Sequence, residues 1–169
     1  MVMNLLQQDV ASASNPLDLL EELVSANEWA HDRSSDQELV VQVTGQWCDY
    51  HLCIVWQPEI GAMYLSCQLD VKVQSPRRNA VNELVVAANE RLWLGHFDLC
   101  AEDGALIFRH TIPLRGVRGG ASVEQLEDMI DTALIESERL YPALQMVVWG
   151  GQPPSEALEA ALMDTVGEA

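Results

Sequence analysis

Basic residues are scarce in this chain. Lysine and arginine together number 9 against 26 aspartates and glutamates, leaving a formal net charge of −17 and a sequence pI near 4.3. A field of that sign repels a nucleic-acid duplex and an anionic membrane surface, so neither is expected as a partner. Long apolar runs are also missing. No stretch of 18 apolar residues occurs, so no membrane-spanning helix is expected. Residues 1–13 have no basic leader and carry Asp9, which argues against a secretory signal and for the cytoplasm. In a reducing compartment Cys48, Cys53, Cys67 and Cys100 are expected as free thiols.

The chemistry-bearing patterns are thin as well. No glycine loop of a nucleotide-binding fingerprint is present. The paired two-residue cysteine spacing of zinc ribbons is missing. Cys48, His51 and Cys53, with His96, Cys100 or His110, are the nearest approach to a metal set. His51 and Cys53 would share one strand face, yet core packing explains the cysteines more simply. His96, Asp98, Cys100 and His110 lie in two neighbouring strand segments, so a Cys–His pair can be drawn there. A polar sheet surface accounts for it better. The sequence therefore points to no catalytic residue, no metal and no cofactor, and a non-enzymatic protein is expected.

What is present is a legible fold. With 169 residues and 49% apolar content, the chain can bury one core. The centre is residues 75–112. Val81, Leu84, Val85, Ala88 and Leu92 recur at three- and four-residue steps, one helical face, and Gly95 follows. Residues 96–101 and 106–112 then read as strands about the turn Glu102-Asp103-Gly104. Upstream, Asn15-Pro16 opens a helix carrying Leu17, Leu20, Leu23 and Val24. Residues 31–36 read as a polar break. Strands follow over 37–44, 50–56 and 62–73, the last alternating Met63, Leu65, Cys67, Leu69 and Val71 inward. Downstream, Ser122 and Gln125 form a capping box before a long apolar stripe in which Pro142 predicts a kink or split. A last amphipathic helix carries Leu158, Ala161, Leu162 and Val166.

The expected fold is α+β, in the order α-β-β-β-α-β-β-α, with helices on one face of an antiparallel sheet and a tail helix added. The domain reading is a mobile lead-in over 1–14, one domain over 15–150, and an acidic tail helix over 151–169.

Two surfaces are candidates for binding. Val40, Cys53 and Val55 are apolar positions pointing away from the helices, where an extended peptide or a second subunit could pack. Trp47, in a turn, is a candidate anchor, whereas Trp56 and Trp93 read as core. Arg115, Gly116, Arg118 and Gly119 precede the long helix and could bind an anion at its start. That loop supports the alternative of a regulator sensing a small ligand in a pocket between sheet and helices.

Residues 94–99, the turn 102–104, Ile107-Phe108-Arg109-His110, and Glu138-Arg139-Leu140-Tyr141-Pro142-Ala143-Leu144 resemble the YbjN family of small bacterial proteins, which carries the label of a sensory transduction regulator. The resemblance covers about residues 15–150. It implies a fold like that of the type III secretion chaperones, which are small, acidic and usually dimeric and hold an extended partner segment. By that likeness the helix over 79–92, bearing Val81 and Val85, is the expected homodimer surface. The resemblance implies no catalytic residues. A protein partner is expected, its identity open.

Overall fold

A computed structural model describes residues 15–117 and 120–166. The lead-in over 1–14, Arg118, Gly119, residues 167–169 and the side chains of Asp164, Thr165 and Val166 lie outside the described residues. Helix α1 (Pro16–Ala26) starts as its sequence requires: the Asn15 side chain accepts from the Leu17 N–H, and proline fills the first turn. Four strands follow: β1 (Ala30–Ser35), β2 (Glu38–Thr44), β3 (Asp49–Gln57) and β4 (Ala62–Lys72). A 3-10 turn at Ser75–Arg77 leads into α2 (Arg78–Asn89). The hairpin is β5 (His96–Leu99) and β6 (Ala105–Pro113), and the chain closes with α3 (Val123–Val148) and α4 (Pro154–Val166).

The strands form one antiparallel sheet in the order β1-β2-β3-β4-β6-β5. Short connections make sequential neighbours, and the α2 crossover places β5 at the far edge. Helices α1, α2 and α3 pack against a single sheet face, and α4 packs outside them on α2 and α3. Strand alternation sends Leu39, Val41, Leu52, Ile54, Leu65, Cys67, Leu106 and Phe108 into the core, all buried. The α+β class is as expected.

Three expectations change. The polar break at 31–36 is strand β1. It has no apolar alternation because it is an edge strand, held by its ladder to β2 and by Arg33, which pairs with Asp18 and Glu21 of α1 at 3.2 Å each. The order is therefore α-β-β-β-β-α-β-β-α-α. Of the kink or split expected at Pro142, the split is absent: helix α3 continues through that residue to Val148. A mid-helix proline costs about 3 kcal/mol. Leu140, Ala143, Leu144 and Val147 are all buried around it, and each large apolar side chain so buried returns about 1.5–3 kcal/mol, so packing wins. Trp93, expected in the core, is 98% exposed. Helix α2 ends at Asn89, so the apolar stripe does not extend to it.

Candidate functional site

The sheet face opposite the helices carries no covering element among the described residues. Its side chains line up in rows set by the register. One row runs Asp32, Val40, Cys53, Ser66, Arg109, His96. The next runs Glu38, Val55, Tyr64, Thr111. Val40, Cys53, Val55 and Tyr64 are thus neighbours in two adjacent rows, a compact apolar patch in the middle of the face. Val40 is 37% exposed and the other three are half-buried. Arg109 lies beside it, donating from Nη1 to the Tyr64 hydroxyl. Its Nε is 3.2 Å from Asp98 Oδ2, an ion pair without hydrogen-bond alignment. Asp32, Glu38, Asp49 and Asp98 make the rim acidic.

A second feature stands at one end of the sheet, where the β2–β3 turn meets α3. Trp47 stacks on Tyr141, ring centroids 6.3 Å apart and planes 11° from parallel. The Gln46 N–H donates to Glu138 Oε1 at 2.7 Å. The Tyr50 hydroxyl and Glu138 Oε2 are buried without a well-formed hydrogen bond. Burial, with the Glu138 carboxylate adding negative charge nearby, pushes the Tyr50 hydroxyl far above its ordinary value. Burial raises the Cys48 thiol and the Tyr141 hydroxyl too. These groups stay neutral near pH 7, so this corner holds the turn in place.

The predicted residues separate. Val40, Cys53 and Val55 come together on the open face, as read. Trp47 lies at the sheet's end, on α3. Val81 and Val85 are a correction: they are 0% and 7% exposed, because their stripe is the face by which α2 enters the core. They cannot form a dimer surface. Arg115 and Gly116 are exposed in the loop after β6, Gly116 with φ of 82°; Arg118 and Gly119 fall outside the described residues.

The constellations drawn from sequence come apart in space. His96 pairs with Arg109 on the open face, whereas His110 pairs with Leu65 on the buried one. Cys48 faces the helices and His51 faces away. Among the described residues no three His, Cys, Asp or Glu side chains converge to hold a metal ion. The space between sheet and helices is filled by Leu52, Ile54, Leu65, Leu126 and Ala133, all fully buried. Two surface depressions lie on the outer side of α2 and beside α1.

Sequence reading missed Tyr64 and Arg109 as part of the patch. The alternation marked both as outward, but only the register makes them neighbours of Val55 and Cys53. It also missed Asn89, whose side chain grips the main chain of Phe97. No helix among the described residues is long and apolar enough to cross a membrane.

No curated protein matches this chain. A solved structure, "Crystal structure of YbjN, a putative transcription regulator from E. coli", is similar with a TM-score of 0.45 and 15% identity, over 72% of this chain and 90% of that one. The sequence model of one family, YbjN, described as "Putative bacterial sensory transduction regulator", matches residues 16–146. With the match spanning most of the chain, this protein belongs to the YbjN family.

Proposed function

We propose that this protein is a non-catalytic binding module that holds a protein partner on the open face of its sheet, and acts as a regulator through that partner. The observation that carries the reading is the apolar patch of Val40, Cys53, Val55 and Tyr64 at the centre of a face that no helix covers. An acidic rim and a net charge of −17 favour a partner surface that is apolar at its centre and basic around it. Chaperone-like holding of a basic client is one form of this activity.

The test is co-purification of the tagged full-length protein from its native cell, beside a Val55→Asp variant, with masses by light scattering. A stoichiometric partner retained by the wild type and lost by the variant supports the reading. A partner held equally by both, or none on the wild type, overturns it.

A further inference from the structure

The apolar patch on the open sheet face stands near the point where the lead-in joins the domain. Asn15 donates from Nδ2 to the Asp36 carbonyl at 2.6 Å, and Asp36 lies in the tight turn between β1 and β2. Asn15 is therefore fixed at the rim of the sheet, at the end where Glu38 pairs with Val55. Two residues and one strand spacing separate Asp36 from Val55, so Asn15 stands within about 20 Å of the patch. The residues from Met1 to Ser14 can span about 46 Å when extended. That length passes the turn and reaches Tyr64 with chain to spare.

The composition of this segment matches the patch. Met1, Val2, Met3, Leu5, Leu6 and Val10 are apolar, and Asp9 is its one charged side chain in a chain that is 21% charged. Val40, Cys53, Val55 and Tyr64 offer it an apolar surface that no helix covers. Tethering sets its local concentration on the order of millimolar, so a weak contact is enough to hold it. A second copy of the sheet face would instead set an acidic rim against an acidic rim. The segment has no lysine or arginine, so it leaves Asp32, Glu38 and Asp49 unmatched. A partner with basic groups around an apolar centre meets both patch and rim, and so competes well against it.

We propose that residues 1–10 lie over Val40, Cys53, Val55 and Tyr64 when no partner is bound, and that the partner displaces them. The lead-in is then an internal competitor, weakening apparent partner affinity by the fraction of time that the patch is covered. This regulation rests on the binding-module reading. The cover itself does not, and is measured on the isolated protein.

The experiment compares the full-length wild type with a Leu5→Asp/Leu6→Asp variant, each without partner. Alkylation of every cysteine by iodoacetamide is timed by peptide mass spectrometry, and backbone amide shifts are recorded. Expected in the variant are at least threefold faster alkylation of Cys53, an unchanged rate at Cys100 beyond β5, and shifts centred on Val40, Cys53, Val55 and Tyr64. An unchanged Cys53 rate, or shifts centred elsewhere, would overturn the cover. So would Cys53 protection in the wild type that grows with protein concentration, because the occupant would then be the lead-in of a second copy. If the variant does not fold, nuclear Overhauser contacts in the wild type between the methyls of Leu5 and Leu6 and those of Val40 and Val55 decide the matter: their presence supports the cover and their absence overturns it. Binding of the co-purified partner then separates the two readings. At least threefold tighter binding to the variant supports the competition, and equal binding overturns it. No partner at all, with Cys53 still protected, overturns the binding-module reading and the competition together, while the cover stands.

Discussion

Glu138 on α3 accepts a hydrogen bond from the main-chain N–H of Gln46 at 2.7 Å, across 92 residues of sequence. It is the polar tie between the β2–β3 turn and the helix layer, and the Trp47–Tyr141 stack lies beside it. Its second oxygen is buried without a well-formed hydrogen bond. In Glu138→Ala the tie is lost, at a cost of about 1–2 kcal/mol. Removing the poorly bonded oxygen offsets part of that. Glu138→Gln keeps an acceptor for Gln46, so its loss should be smaller. Urea unfolding of both variants checks the order; a Glu138→Gln loss equal to that of Glu138→Ala would mean that charge, not the accepted bond, holds the turn.

Tyr50 offers the opposite case. Its ring is fully buried, and its hydroxyl has no well-formed partner. Tyr50→Phe removes a desolvated polar group and leaves the shape, so stability should change by less than about 1 kcal/mol or rise. Tyr50→Ala opens a cavity and should cost about 3–5 kcal/mol. Calorimetric melting of the two variants separates them; a large loss in Tyr50→Phe would show that the hydroxyl is bonded in solution.

Gly95 and Gly116 both have positive φ, 68° and 82°. They differ in surroundings. A Cβ at Gly95 would stand 2.3 Å from Phe108 Cζ and 2.8 Å from the Arg109 carbonyl oxygen, whereas at Gly116 nothing lies within 4 Å. Gly116→Ala should cost only the left-handed strain, about 1–2 kcal/mol. Gly95→Ala adds overpacking against a core ring, about 1–3 kcal/mol more. The gap between their urea midpoints measures the second contribution, and equal midpoints would refute the close approach.

His110 links stability to pH. It is buried in the row with Leu39, Ile54 and Leu65, and burial lowers its pKa. An unfolded histidine titrates near about 6.5. Below that value the unfolded chain therefore binds more protons at this site than the folded one. Its contribution is present in full above about pH 6.5 and is lost as pH falls toward the lower folded value. Unfolding free energy should decline from pH 7 to pH 5.5, and His110→Leu should flatten that slope. An unchanged slope would assign the decline to other groups.

Much of this fold follows from local chemistry. The Asn15 cap, the Ser122–Gln125 capping box, the stripe of α2 and the alternation of β4 each depend on residues within one or two turns of chain, and they stand where the pattern placed them. β1 was not legible, because an edge strand tied by Arg33 to α1 needs no apolar alternation. Nor was the unbroken path of α3 through Pro142, since burial of distant side chains offsets the missing bond.

For the candidate surfaces, sequence determined which residues point outward, and so brought out Val40, Cys53 and Val55. Tertiary structure alone decided which of them touch. Register joins Val55 to Tyr64 and Ser66 to Arg109, and the same register sends His96 and His110 to opposite faces. A strand's side chains alternate with period two, so one step of register exchanges the buried and open sets. That step is set by pairing between distant segments, as is the reach of Asn89 to Phe97 and of Glu138 to Gln46.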